Sequence, residues 1–456
     1  MFETDSMAWL EEALERLGEG FAGLPAQRPA TAGAEGARAI MAEAAVRLQD
    51  NFPYFHPLYA GQMLKPPHPV ARAAYALATW INPNNHARDG GRASSQMEIE
   101  AVAEIARMFG WREHLGHLTS GGTFANLEAL WVAGQLAPHK AILASEQAHY
   151  THGRISGVLR LPFEAVPADE RGRLSLPQLE QRLQRGDVGT VVATLGTTAL
   201  GAIDPLPEIL VLRERYGFRL HVDAAYGGYF GLTATLGADA RAAFDAVGAA
   251  DSIVIDPHKH GLQPYGCGCI LFRDASVGRY YKHDSPYTYF TSQDLHLGEI
   301  SLECSRAGAS AVALWATQRL LPLVRGGEFA SMLENCRAAA LDLHQRLSGA
   351  EAFVAPIPPE LDIVVWPVRG ASVAESSDRA RRIFDGAAQR DLHLALVQLP
   401  VAMFPGVWPE AQADTVTCLR SVLMKPEHRP WMDQIWRRLS AAAQDSDVVH
   451  QKIKEG

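Results

Sequence analysis

The sequence predicts an α/β protein. A large unit on a mostly parallel sheet, covered by helices on both faces, is preceded by a helical and extended arm and followed by a small α/β unit. Three observations predict this. Between Gly116 and Phe272 short apolar runs alternate with helix-periodic stretches, and strands buried on both faces read as continuous apolar runs rather than as alternation. From about residue 325 the order is helix, strand, helix, strand, helix. The chain has 456 residues, 47% hydrophobic and 20% charged, enough for two or three cores in an ordinary globular protein. That composition excludes a disordered chain, a collagen-like repeat and a coiled coil. The divisions expected are 1–95, 96–324 and 325–456.

Taken in order, Met7–Leu17 and Ala37–Leu48 read as amphipathic helices joined by a Gly/Ala/Pro-rich linker at Gly18–Gly36. Residues 51–95 carry six prolines and read as an extended segment wrapped on another surface. Tyr54, Phe55, His56, Tyr59, Trp80, Asn84 and His86 make it an aromatic and polar wall suited to setting specificity. A helix is expected from about Glu98 to Phe109, then a Gly-rich turn opening a helix at Phe124–Leu136. Strands are expected at Ala141–Ala144, Thr190–Leu195, Arg219–Val222, Ser252–Ile255 and Cys269–Phe272. Helices lie between them at Leu176–Leu183, where Ser175 and Gln178 have capping-box spacing, and at Pro207–Tyr216. A long helix follows at Arg306–Leu321.

The net charge of −9 argues against a general nucleic-acid binder, which shows a basic face. The opening MFETDSMAWLEEALERL is acidic and helix-periodic, unlike a signal peptide, and no run reaches the ~18 apolar residues of a membrane span. The expectation is a cytoplasmic protein with neither nucleic-acid nor membrane partner. Five cysteines in so long a chain make no disulfide framework. Cys267 and Cys269 share a strand face, but no second pair lies at finger-like spacing, so no metal site is expected.

Five short motifs could do chemistry. Asp256-Pro257-His258-Lys259-His260-Gly261 follows an apolar run, which puts Lys259 at the carboxyl end of a strand, where open α/β sheets bind ligands. A neutral amine there suits Schiff-base chemistry; a solvated surface lysine is the bland alternative. His221-Val222-Asp223-Ala224-Ala225-Tyr226-Gly227-Gly228 ends a β run in an aspartate followed by small residues. Such a carboxylate can hold a protonated ring nitrogen while Ala225 lets a ring lie against the backbone, or it can simply close a turn. Thr119-Ser120-Gly121-Gly122-Thr123 precedes a helix and can form an anion cradle, without the ending of a Walker motif; a plain turn before a helix is the bland alternative. His149, in Ser145-Glu146-Gln147-Ala148-His149, can stack on an aromatic ring, and Thr194-Leu195-Gly196-Thr197-Thr198 offers hydroxyls at another strand end.

Together these supply a phosphate site, a stacking group, a hydroxyl, a ring-nitrogen carboxylate and an amine, the set that pyridoxal 5'-phosphate needs. In these motifs and their order, from about Pro53 to Leu321, the chain resembles the group II pyridoxal-phosphate-dependent amino acid decarboxylases. Asp223 stands 36 positions before Lys259, and the combination of HVDAAYGG with DPHKHG is specific to that group. The resemblance implies a fold-type I enzyme, a homodimer whose active sites sit at the subunit interface, and decarboxylation of an aromatic or acidic L-amino acid. It implies that Lys259 carries the cofactor, that Asp223 pairs with its ring nitrogen, and that His149 and Ala225 lie against opposite ring faces. Gly122, Thr123 and His258 would meet the phosphate and Thr198 the ring hydroxyl. Arg306 is the candidate for the substrate carboxylate, against a structural ion pair. Tyr280–Leu297 occupies the place of the catalytic loop, with Tyr287, Tyr289, His283 and His296 as candidate proton donors. A carbon–carbon lyase or an oxidative decarboxylase on the same scaffold is the alternative; retention of Lys259, Asp223 and His149 argues against a non-catalytic homologue.

Overall fold

The computed structural model describes residues 2–25, 34–86, 88–282, 301–409 and 413–455. Its centre is a seven-stranded sheet of order β1-β7-β6-β5-β4-β2-β3. The strands are β1 (Leu115–Thr119), β2 (Ala141–Ser145), β3 (Phe163–Val166), β4 (Val188–Thr194), β5 (Arg219–Asp223), β6 (Ser252–Ile255) and β7 (Gly268–Phe272). β3, β2, β4, β5 and β6 run parallel, while β7 is antiparallel to both β6 and β1. β4 through β7 are buried along nearly their whole length, as strands covered on both faces must be. β1 and β3 were absent from the sequence reading. Leu115-Gly-His-Leu-Thr119 is short and interrupted by Gly116, and β3 is a half-exposed edge.

Helices α1 (Asp5–Glu19), α2 (Ala34–Leu48), α3 (Pro69–Thr79) and α4 (Arg92–Met108) precede the sheet. α3 corrects the expectation that residues 51–95 are extended. Pro69 sits at the first helical position, where its missing N–H costs nothing, and His68 caps the turn by accepting the Val70 N–H on Nδ1. Of the six prolines that argue for extension, Pro69 in fact starts a helix. α5 (Gly122–Leu136), α6 (Thr151–Leu159), α7 (Leu176–Leu183), α8 (Leu206–Tyr216) and α9 (Ala238–Ala246) alternate with the strands. Ser175 precedes α7 but makes no side-chain cap bond, so the capping box expected there does not form.

The C-terminal part holds a three-stranded antiparallel sheet of Ile363–Trp366, Thr415–Val422 and Ala395–Pro400, one strand more than expected. Helices Glu328–Ser348, Val373–Ala388 and Met432–Glu455 accompany it. Leu58 and Ala60 of the arm lie in the same apolar cluster as Trp366, Leu419 and Leu439, so the arm is bound into that core. The helix expected at Arg306 starts at Gly308.

Candidate active site

The parallel topology collects loops at the carboxyl ends of β2, β4, β5 and β6, and with the turn between β1 and α5 they enclose a cavity of about 460 Å³. Gly122, Thr123, His149, Thr198, Asp223, Ala225, His258 and Lys259 all line it. Motifs spread over some 140 positions thus converge because consecutive crossovers return to the same sheet edge.

Asp223, the last residue of β5, is buried and accepts three hydrogen bonds. The Ala225 N–H reaches Oδ1 at 3.0 Å, and His152 Nε2 and Asn126 Nδ2 reach Oδ2 at 2.9 and 3.3 Å. Burial alone would raise this carboxyl. The His152 ring, the Lys259 charge and the Ala225 amide overcome that and hold it well below the usual carboxylate range. Asp223 is therefore an ionised carboxylate in a nearly dry site.

Lys259 follows β6 in a short turn, with Nζ 3.1 Å from Asp256 Oδ2. Asp256 is buried, and its Oδ1 has no hydrogen-bond partner among the described residues. His258 donates from Nδ1 to the Cys267 carbonyl at 2.8 Å, which fixes its ring, and burial pushes its pKa down. His149 is likewise lowered by burial, and its Nδ1 accepts the Thr151 N–H.

Glycine is required at two close approaches. A Cβ at Gly122 would stand 2.6 Å from Asp256 Oδ2. At Gly196, φ is +99° and a Cβ would lie 3.0 Å from Gly227 N, so the loop after β4 can pass against the loop after β5 only without a side chain.

The cavity fits pyridoxal 5'-phosphate. At one end Gly121 precedes α5 as its N-cap and makes no side-chain cap bond, which leaves N–H groups of the first turn, those of Gly122 and Thr123, for an anion. At the other end stands the Asp223 carboxylate, with Lys259 between sheet and solvent.

Not every expected residue joins. Arg306 donates from Nη1 to Glu98 Oε1 at 2.6 Å and to the Leu118 carbonyl at 2.8 Å, and from Nη2 to the Asn85 carbonyl at 3.0 Å. Its side chain is 7% exposed and does not line the cavity. The structural ion pair, not a free guanidinium, is what the structure contains. Arg306→Met is accordingly expected to cost about 3 kcal/mol, since it strands the buried Glu98 carboxylate. Denaturant unfolding checks this. Lost substrate affinity at unchanged stability would return Arg306 to the site. The wall residues expected from 54–86 do not line the cavity; Asn84 instead holds Ser305 and the Arg306 N–H. Tyr287, Tyr289, His283 and His296 lie outside the described residues.

Sequence reasoning missed His152, Asn126 and Asp256. Asn126 could have been found: it is one helical turn past Gly122 and so shares its face. His152 carried no signal, because its partner lies 71 positions away.

A family model described as the pyridoxal-dependent decarboxylase conserved domain matches residues 125–367. An L-tyrosine decarboxylase of Enterococcus faecium is 29% identical, covering 68% of this chain and 68% of its own. A probable L-tyrosine/L-aspartate decarboxylase of Methanothermobacter thermautotrophicus is 30% identical, covering 57% of this chain and 70% of its own. In fold, the chain is similar to the crystal structure of Oryza sativa TDC with PLP and tryptamine, at a TM-score of 0.79 and 17% identity, over 98% of this chain and 99% of that one.

Proposed function

The chain belongs to the pyridoxal-dependent decarboxylase family, and from that premise we propose that it removes carbon dioxide from an aromatic or acidic L-amino acid and leaves the amine. The observation that carries this reading is the placing of Lys259 and Asp223 at neighbouring strand ends on one cavity with a glycine-built anion cradle. The tyrosine and aspartate named for its relatives support the substrate class.

When bound, pyridoxal 5'-phosphate supplies an electron-withdrawing ring that accepts the electron pair of the breaking bond. The chain's residues do the rest. Lys259 presents its amine from a turn that Asp256 anchors. Asp223 keeps a proton on the ring nitrogen, because an ionised carboxylate in a dry site stabilises the positive charge there. Gly122, Thr123 and His258 would hold the phosphate, Thr198 would offer its hydroxyl to the ring oxygen, and His149 and Ala225 would lie against the two ring faces. The proton for Cα would come from Tyr287, Tyr289, His283 or His296.

A panel of the twenty amino acids, with cofactor added, tests the reading. Carbon dioxide and amine in equal amounts from an aromatic or acidic substrate are expected. Aldehyde with ammonia, or a product of side-chain cleavage, would overturn it.

We also infer a homodimer. The described side chains of α2 are exposed apart from half-buried Ala44, and Ile40, Met41, Val46 and Leu48 are among them. An isolated 15-residue helix is marginal in water, so this one needs a surface, and a two-fold related copy supplies it. The division of the chain at 1–95, 96–324 and 325–456 and a cytoplasmic location belong to the same reading. Among the described residues no helix is long and apolar enough to cross a membrane. Activity per chain is expected to fall on dilution, and deletion of residues 1–50 to weaken both dimerisation and cofactor retention. A fully active monomer in sedimentation would contradict the dimer.

A further inference from the structure

Asp223 is not held by its own loop alone. Behind it three buried side chains from three elements form a donor chain whose direction is fixed. Ser252 of β6 lies 2.9 Å from Nδ1 of His221 in β5, and His221 Nε2 lies 2.8 Å from Oδ1 of Asn126 in α5. Asn126 then turns its amide nitrogen to Asp223 Oδ2 at 3.3 Å. Burial drives His221 down to about 3, so its ring is neutral and carries one proton. An amide oxygen accepts only, which puts that proton on Nε2. Nδ1 must then accept from the Ser252 hydroxyl. Every member is used, and each points its donor toward Asp223.

His152 approaches from a separate element, the first turn of α6. Its ring is fully buried, Nε2 is 2.9 Å from Asp223 Oδ2, and Nδ1 has no hydrogen-bond partner among the described residues. An ionised carboxylate accepts only, so Nε2 carries the proton. Oδ2 therefore has two donors behind it, and among the described residues Oδ1 has the Ala225 N–H alone, which leaves Oδ1 able to accept a further hydrogen bond. Among the described residues the one hydrogen bond this buried ring makes is to Asp223, and a polar ring is buried at a cost that only such a bond offsets.

We propose that His152 is a positioning residue: it donates Nε2–H to Asp223 Oδ2, keeps that carboxylate from taking the ring proton, and aims Oδ1 at the cofactor's ring nitrogen. The Ser252–His221–Asn126 chain supports the same oxygen from the other side. This rests on the cofactor reading above and deepens it.

The test uses the holoenzyme loaded with cofactor labelled with nitrogen-15 at the ring. In the wild type the ring-nitrogen shift is expected at the protonated position. In His152→Leu it is expected to move toward the unprotonated position, with cofactor affinity falling about 10- to 100-fold, the scale of deleting one hydrogen bond to a buried charge. His152→Gln, which restores a donor, is expected to recover most of both. A ring-nitrogen shift unchanged in His152→Leu would overturn the proposal, because a role in packing alone moves stability and not protonation. Should His152→Leu fail to fold, nitrogen-15 histidine labelling of the wild type decides: a proton on Nε2 is expected, and an Nε2 without one overturns the proposal. A wild type that binds no cofactor sinks the cofactor reading instead, so the two failures are distinguishable.

Discussion

Lys259→Ala is expected to abolish turnover, by roughly 10³-fold or more, the scale on which removing a covalent catalytic group acts, while the fold survives. The side chain is one-fifth exposed and, among the described residues, pairs with Asp256, and His258 Nε2 stays 3.6 Å from the same Asp256 oxygen when it is lost. Cofactor should still enter, because the cradle at Gly122 and Thr123 and the Asp223 carboxylate do not depend on it. What disappears is covalent attachment and the visible band near ~420 nm that attachment produces. Circular dichroism matching the wild type, with that band and carbon dioxide release both gone, is the expected set. Retained turnover without added amine would remove Lys259 from its place.

Asp223→Asn ranks second. Asparagine keeps the shape, and its Oδ1 can still accept the Ala225 N–H. It cannot accept from both His152 and Asn126 while presenting a negative charge to the ring nitrogen. Each unit by which the ring nitrogen's pKa falls is worth ~1.4 kcal/mol, or tenfold in rate where that proton is needed. A fall of about two to four units lowers kcat by about 10²- to 10⁴-fold, with KM changed far less. Steady-state kinetics on the preferred substrate checks this. Near-wild-type kcat would mean that the ring functions without its proton.

The residues that could be read from sequence were those at the ends of apolar runs. HVD and IDPHK each end a strand, and the strand rule alone put Asp223 and Lys259 on one edge of the sheet; the structure lines one cavity with both. The Gly-Gly-Thr turn before an apolar helix was legible for the same local reason. What was not legible depended on contacts across the chain. His152 meets Asp223 across a sheet layer, at a spacing that no helix or strand period encodes. Arg306 looked free beside a helix, yet its partner Glu98 lies more than two hundred positions earlier. The helix Pro69–Thr79 was hidden because proline both breaks helices and starts them, and only the position of Pro69 in the first turn decides which. Ser175 shows the converse: its spacing suited a cap, but the side chain makes no such bond.

The central claim is that the amine of Lys259 carries the cofactor opposite the Asp223 carboxylate, and one measurement addresses it directly. The purified chain is loaded with pyridoxal 5'-phosphate, reduced with borohydride to fix the cofactor on whichever lysine bears it, digested, and mapped by mass spectrometry. A single phosphopyridoxyl group on the peptide containing Lys259 is the predicted result. A label on Lys65, Lys425 or another lysine, or no label at saturating cofactor, would contradict it.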